Sequence, residues 1–133
     1  MNGKIMIVDD EEYIRFLYSE ELEDEGYHVV TVSNGFKLLE KIEKEKPDLV
    51  VLDIRLRDCN GLDLLQSIKK SFYHMPVGFC TAYDTYKYDM KSVDADFYVV
   101  RSSDLTELKN NIAKTLHDYR QNGQGKKHLS VFS

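Results

Sequence analysis

Five short apolar runs, each handing over to a longer stretch of helical spacing, restrict most severely how this chain can fold. They are KIMIV at 4–8, HVVTV at 28–32, DLVVLD at 48–53, VGFC at 77–80 and DFYVV at 96–100. Runs so short and apolar read as buried strands. After the first, EEYIRFLYSEELEDEGY puts Ile14, Leu17, Tyr18 and Leu22 on one helical face, and Gly26 is its stop. Ser33-Asn34-Gly35 is a turn suited to cap a helix over FKLLEKIEKEK, which Pro47 ends. The loop IRLRDCNG leads to the helix LDLLQSIKKS, and Pro76 opens the fourth strand. YDTYKYDMKS reads as a weak helix at best, while Asp104 and Glu107 make a capping box for LTELKNNIAKTLHDYR. Five β-then-α units predict an α/β fold: a doubly wound, five-stranded parallel sheet with right-handed crossovers and helices on both faces.

At 133 residues the chain is long enough for one core but not two. Residues 1–119 read as the domain, and 120–133, rich in glycine and polar residues, as a polar tail or the start of a linker. Eighteen basic against 23 acidic residues give a net charge of −5, which argues against direct nucleic-acid contact. No apolar run approaches the roughly 20 residues that span a bilayer, and the first residues lack signal-peptide architecture, so the cytoplasm is expected. Cys59 and Cys80 have no metal or disulfide spacing, and His28, His74, His117 and His128 suit surface or packing roles.

In such a sheet ligands bind beyond the carboxyl ends of the strands. That rule gathers Asp9 and Asp10 after the first strand, Asp53 after the third, Thr81 after the fourth and Arg101 after the fifth. Taken singly, Asp10 is as well explained as a helix cap, and Thr81 as a turn residue. Asp53 is a poorer cap, because Ile54 and Leu56 follow it rather than a helix. Two carboxylates ~4 Å apart at an effective dielectric of ~20 repel by about 4 kcal/mol. Protonation or a cation must relieve that, and hard oxygen donors point to Mg²⁺.

IMIVDDEE, PDLVVLDIRLRDCNGLDLL, MPV, TAY and ADFYVV together resemble the receiver domain of two-component response regulators, over roughly residues 3–119. The resemblance implies the flavodoxin-like strand order 2-1-3-4-5. It implies that Asp53 is the phosphoacceptor of a sensor histidine kinase or phosphotransfer protein. It further implies Mg²⁺ held by Asp9, Asp10, Asp53 and the main-chain carbonyl of Arg55, with Thr81, Tyr98 and Arg101 sensing the phosphoryl group. A phosphorylation-dependent homodimer or a downstream protein would read the switch. The chain would then catalyse only its own phosphoryl transfer and a slow self-dephosphorylation.

The chain departs from the family pattern in places. Arg101-Ser102 stands where a Lys-Pro pair, typically joined in cis, is usual, and Arg57 where a proline is usual. A non-proline cis bond costs roughly 2.5–4 kcal/mol, so the bond before Ser102 should be trans. Gly78 interrupts the fourth strand, and residues 82–98 are about two shorter than is usual. Two other readings stand beside the leading one. One is a receiver-like interaction module that works without phosphorylation. The other is a Mg²⁺-dependent aspartyl-phosphate phosphatase, disfavoured because Arg55 stands where a general-acid Asp is needed.

Overall fold

The computed structural model describes residues 2–86, 89 and 94–132, with side chains of the final helix described as far as residue 121. The strands are β1 (Lys4–Val8), β2 (His28–Val32), β3 (Leu49–Leu52), β4 (Val77–Thr81) and β5 (Phe97–Val100). The helices are α1 (Glu12–Asp24), α2 (Leu38–Glu45), α3 (Gly61–Ser71) and α4 (Thr106–Phe132). The strands form one parallel sheet in the order β2-β1-β3-β4-β5, as expected for the flavodoxin-like arrangement.

Alternation along the strands builds two cores, because successive side chains point to opposite faces. Ile5, Ile7, Leu49, Val51 and Cys80 pack with Ile14, Tyr18 and Leu22 of α1 and Leu108, Ile112 and Leu116 of α4. Met6, Val8, Val50, Leu52, Val77 and Phe79 pack with Leu38 and Ile42 of α2 and Leu62, Leu65 and Ile68 of α3. Covered on both faces, β1, β3 and β4 need the near-continuous apolar runs that the sequence supplies. Gly78 fits this scheme rather than breaking it. A Cβ there would lie 2.0 Å from the ring of Phe97, so the glycine makes room for its neighbour on β5.

Several helix boundaries differ from expectation. Asn34 Oδ1 accepts from Phe36 N at 2.9 Å, yet α2 begins only at Leu38, because Lys37 adopts a left-handed backbone with φ 53°. Lys46 closes the helix in the same conformation, with φ 50°. Asn60, expected in a loop, caps α3 by accepting from Leu62 N at 2.7 Å. Asp104 Oδ1 accepts from Thr106 N at 2.9 Å, but among the described residues no return bond comes from Glu107 to complete a box. The last helix continues to Phe132, through the stretch expected as a polar tail. Residues 82–86 are not helical, and the remainder of the weak helix expected at 83–92 lies largely outside the described residues. No described peptide bond is cis, so Arg101–Ser102 is trans as expected. Among the described residues no helix is long and apolar enough to cross a membrane.

Candidate functional site

The hydrogen-bond ladder of the sheet runs one residue past its strands and fixes the backbones that matter. Asp9 N donates to Val32 O at 3.0 Å, Asp53 N to Val8 O at 3.1 Å, and Arg101 N to Thr81 O at 2.6 Å. Behind Asp53 the chain packs so closely that a Cβ on Gly61 would lie 2.2 Å from the Asp53 carbonyl oxygen. Only a glycine fits there, and its N–H donates to Ile54 O at 2.6 Å.

Asp9 and Asp53 are buried and Asp10 half-buried; one carboxylate oxygen from each lies within 4.8 Å of the others. Arg101 spans this group from the β5 side. Its Nη2 meets Asp9 Oδ2 at 2.5 Å and Asp53 Oδ2 at 3.3 Å, and its Nη1 meets Glu11 Oε1 at 3.1 Å. Glu11, just before α1, therefore also helps to hold Arg101. Arg57, unexpected at the site, reaches Asp10 Oδ2 at 3.7 Å; with Arg57 itself 85% exposed, the pair contributes little.

Burial pushes the Asp9 carboxyl up to about 6, against the pull of the Glu11 N–H and the Arg101 charge. The Asp53 carboxyl is raised too, again by burial, opposed by the Thr81 hydroxyl and Arg101. Thr81 is close enough to favour the charged carboxylate, but no hydrogen bond is completed. Asp53 Oδ1, Thr81 Oγ1 and Arg101 Nε are all buried without a hydrogen-bond partner. Buried polar atoms are rarely left so, and three in one place mark a site built for something more than its own fold. Hard oxygen donors in excess of the local cation suit a divalent ion, and the free Oδ1 leaves Asp53 an available lone pair.

Tyr98 and Arg55 stand at the margin of the cluster. The Tyr98 hydroxyl donates to the carbonyl oxygen of Tyr83, and its ring meets Phe79 edge-on at 5.8 Å. The Arg55 guanidinium lies over the Tyr83 ring, 4.6 Å from its centroid, and the Arg55 backbone bridges to Asn60. The side chain of His128 lies outside the described residues.

Residues 5–113 match the pattern of the response regulator receiver domain. The chain belongs to this family. Among relatives of this receiver, sporulation initiation phosphotransferase F of Bacillus subtilis is 34% identical over 120 residues, spanning 87% of this chain and 95% of that protein. The alkaline phosphatase synthesis transcriptional regulatory protein PhoP of B. subtilis is 43% identical over 84 residues, 63% of this chain. The match spans only 35% of PhoP's own length. The response regulator TrrA of Thermotoga maritima, solved with Mg²⁺-BeF, superposes with a TM-score of 0.81 at 41% identity, covering 85% of this receiver and 97% of that chain. TrrA has also been solved in complex with the histidine kinase ThkA, where the TM-score is 0.78 at 42% identity over the same shares of both chains.

Proposed function

We propose that this receiver is the phosphoacceptor of a two-component phosphorelay. A sensor histidine kinase or phosphotransfer protein in the cytoplasm phosphorylates Asp53, and the change switches a protein-interaction surface. The observation that carries this reading is the buried, unpartnered Asp53 Oδ1, set beside an acid pair, an unpartnered hydroxyl and a fixed guanidinium. A carboxylate in that setting is a competent nucleophile toward phosphorus.

The chemistry is simple to balance. Asp53 Oδ1 forms a bond to phosphorus as the P–N bond of a phosphohistidine breaks, and the bonding pair leaves with the imidazole. Asp9, Asp10, Asp53 and the Arg55 carbonyl would hold Mg²⁺, which when bound neutralises charge on the phosphoryl oxygens. Arg101 supplies a second cation without proton transfer. Its contact with Asp53, at 3.3 Å, is longer than those to Asp9 and Glu11, so it yields first to a phosphoryl oxygen. Thr81 Oγ1, lacking a partner, has a hydrogen bond to offer. Tyr98, tied to the Tyr83 carbonyl, relays the change outward to a second copy or a downstream protein.

The receiver acts on no outside substrate in this reading. Incubation with a small phosphodonor and Mg²⁺ should give a single phosphoryl adduct by intact mass, absent in Asp53→Asn. An unmodified wild type would instead favour the module that works without phosphorylation, with Arg101 holding the carboxylates permanently paired.

A further inference from the structure

Arg101 is held by carboxylates at its tip, while its Nε is buried without a hydrogen bond. Something must steady the rest of a planar group that departs from the compact ammonium usual in this family. The candidate lies beneath it. Tyr18, on the buried face of α1, is 2% exposed and packs in the same core as Cys80, Val99 and Leu105. Its hydroxyl finds only a sulfur, Cys80 Sγ at 3.5 Å, in an otherwise apolar setting. Cys80 lies opposite Val99 and immediately precedes Thr81, whose carbonyl receives the Arg101 N–H, so the sulfur that the phenol meets stands beside the strand end that carries Arg101.

A buried hydroxyl costs free energy unless a good partner compensates it, and a thiol is a poor one. Phenylalanine would fill this apolar site without that cost. We propose that Tyr18 is a positioning residue: its hydroxyl supports the Arg101 guanidinium, keeping it over Asp53 while its carboxylate contacts are exchanged for phosphoryl oxygens. Burial is the main influence raising the Tyr18 hydroxyl's pKa, and the nearby Arg101 charge opposes it. Val99 lies in the Tyr18 core and Arg101 follows it two residues on, so alternation turns phenol and guanidinium to the same face of the sheet.

The inference rests on Asp53 being phosphorylated, and its test separates the two. Rates of phosphorylation by a small phosphodonor at saturating Mg²⁺ are measured for wild type, Tyr18→Phe, Arg101→Lys and the double variant. Tyr18→Phe should slow phosphorylation several-fold, whereas the double variant should be no slower than Arg101→Lys alone. A Tyr18→Phe rate equal to wild type, or a full additional loss in the double variant, overturns the proposal. A merely structural tyrosine would show that additive loss, because packing does not depend on which cation stands at 101. If the wild type takes no phosphoryl group, the functional reading fails, and urea unfolding decides the inference alone. Tyr18→Phe should then lower the midpoint with Arg101 present and leave it unchanged in an Arg101→Met background; equal shifts in both overturn the contact itself.

Discussion

At the amino-terminal edge of the sheet, just before β5, Asp96 accepts three hydrogen bonds, from Lys69 Nζ at 3.1 Å, Val77 N at 2.8 Å and Tyr119 Oη at 2.7 Å. Asp48, just before β3, receives Lys4 N on Oδ2 at 2.7 Å and gives its own N–H to Lys4 O at 2.7 Å. At the carboxyl edge, directly after β3, Asp53 is buried with Oδ1 unpartnered and its carboxyl raised. One residue type at opposite ends of the same strands thus does opposite work. The amino edge uses carboxylates to tie α3, β4 and α4 together. The carboxyl edge keeps them underused, at a cost in stability, and spare lone pairs and spare negative charge are what the proposed phosphoryl transfer would require.

The largest effect should come from breaking each end separately. Asp53→Asn should abolish the phosphoryl adduct while leaving stability unchanged or higher, since a desolvated carboxylate is exchanged for a neutral amide. Asp96→Ala should do the reverse. It strands the buried Val77 N–H, at about 1–3 kcal/mol, leaves Lys69 with only the Met75 carbonyl, and leaves phosphorylation intact. Denaturant melts and intact-mass spectra of both variants decide this. A destabilised Asp53→Asn with a stable Asp96→Ala would overturn the contrast.

Next in size is the response to Mg²⁺. Outer-shell changes alone typically cost roughly 10–100-fold in metal affinity, and removal of a direct carboxylate in Asp10→Ala should exceed that. Glu12→Ala, one turn of charge away on α1, should leave the titration unmoved. Glu11→Ala cannot serve as the control, because Glu11 holds Arg101. Equal losses in Asp10→Ala and Glu12→Ala would remove the cation from this edge.

Much of this contrast could be read in the sequence. Asp9, Asp10, Asp53, Thr81 and Arg101 each follow an apolar run, and parallel strands bring their ends together whatever the loops do. What escaped notice depends on long-range contact. The pairing of Glu11 with Arg101 and that of Arg57 with Asp10 join residues far apart in the chain, whose types alone suggest only a helix start and a loop. The positive φ at Lys37, which delays α2, has no glycine or asparagine to announce it. Gly61 and Gly78 are visible as glycines, but their reasons, the Asp53 carbonyl and the Phe97 ring, belong to packing.

The two ends should also differ in pH response. Because burial lifts Asp9 to about 6, the folded state binds a proton that the unfolded chain releases near 4. In a metal-free buffer this group makes the protein more stable as pH falls from above 6 toward 4, by on the order of 1–3 kcal/mol. Asp9→Asn should flatten that segment of the curve. Asp58 and Asp104, exposed and held below the usual carboxylate range by backbone and side-chain donors, act in the opposite sense and only at lower pH. A curve with no rise between pH 6 and 4, or a rise that Asp9→Asn leaves undiminished, would falsify the assignment to Asp9; the part that remains belongs to Asp53, whose carboxyl burial also raises.

The smallest effect concerns how long the carboxyl edge keeps its phosphoryl group. Arg55 stacks its guanidinium on Tyr83 two residues beyond Asp53, and Tyr83 is itself held through its carbonyl by the Tyr98 hydroxyl. Neither Arg55 nor Tyr83 offers a carboxylate or amide to orient an attacking water, and in the proposed function their stack stands beside its approach. An exposed cation–π contact is worth about 0.5–1 kcal/mol, so opening that cover should change a rate by only roughly two- to fivefold. Arg55→Asn removes the stack and places an amide where water must pass, so loss of the phosphoryl group should quicken by at least this factor. Tyr83→Ala removes the stack without supplying the amide, and should quicken it less. The rates are read by following the adduct after the donor is removed. If Arg55→Asn and Tyr83→Ala both decay at the wild-type rate, the stack does not govern turnover, and any slowness must arise deeper, at Asp53 and Thr81.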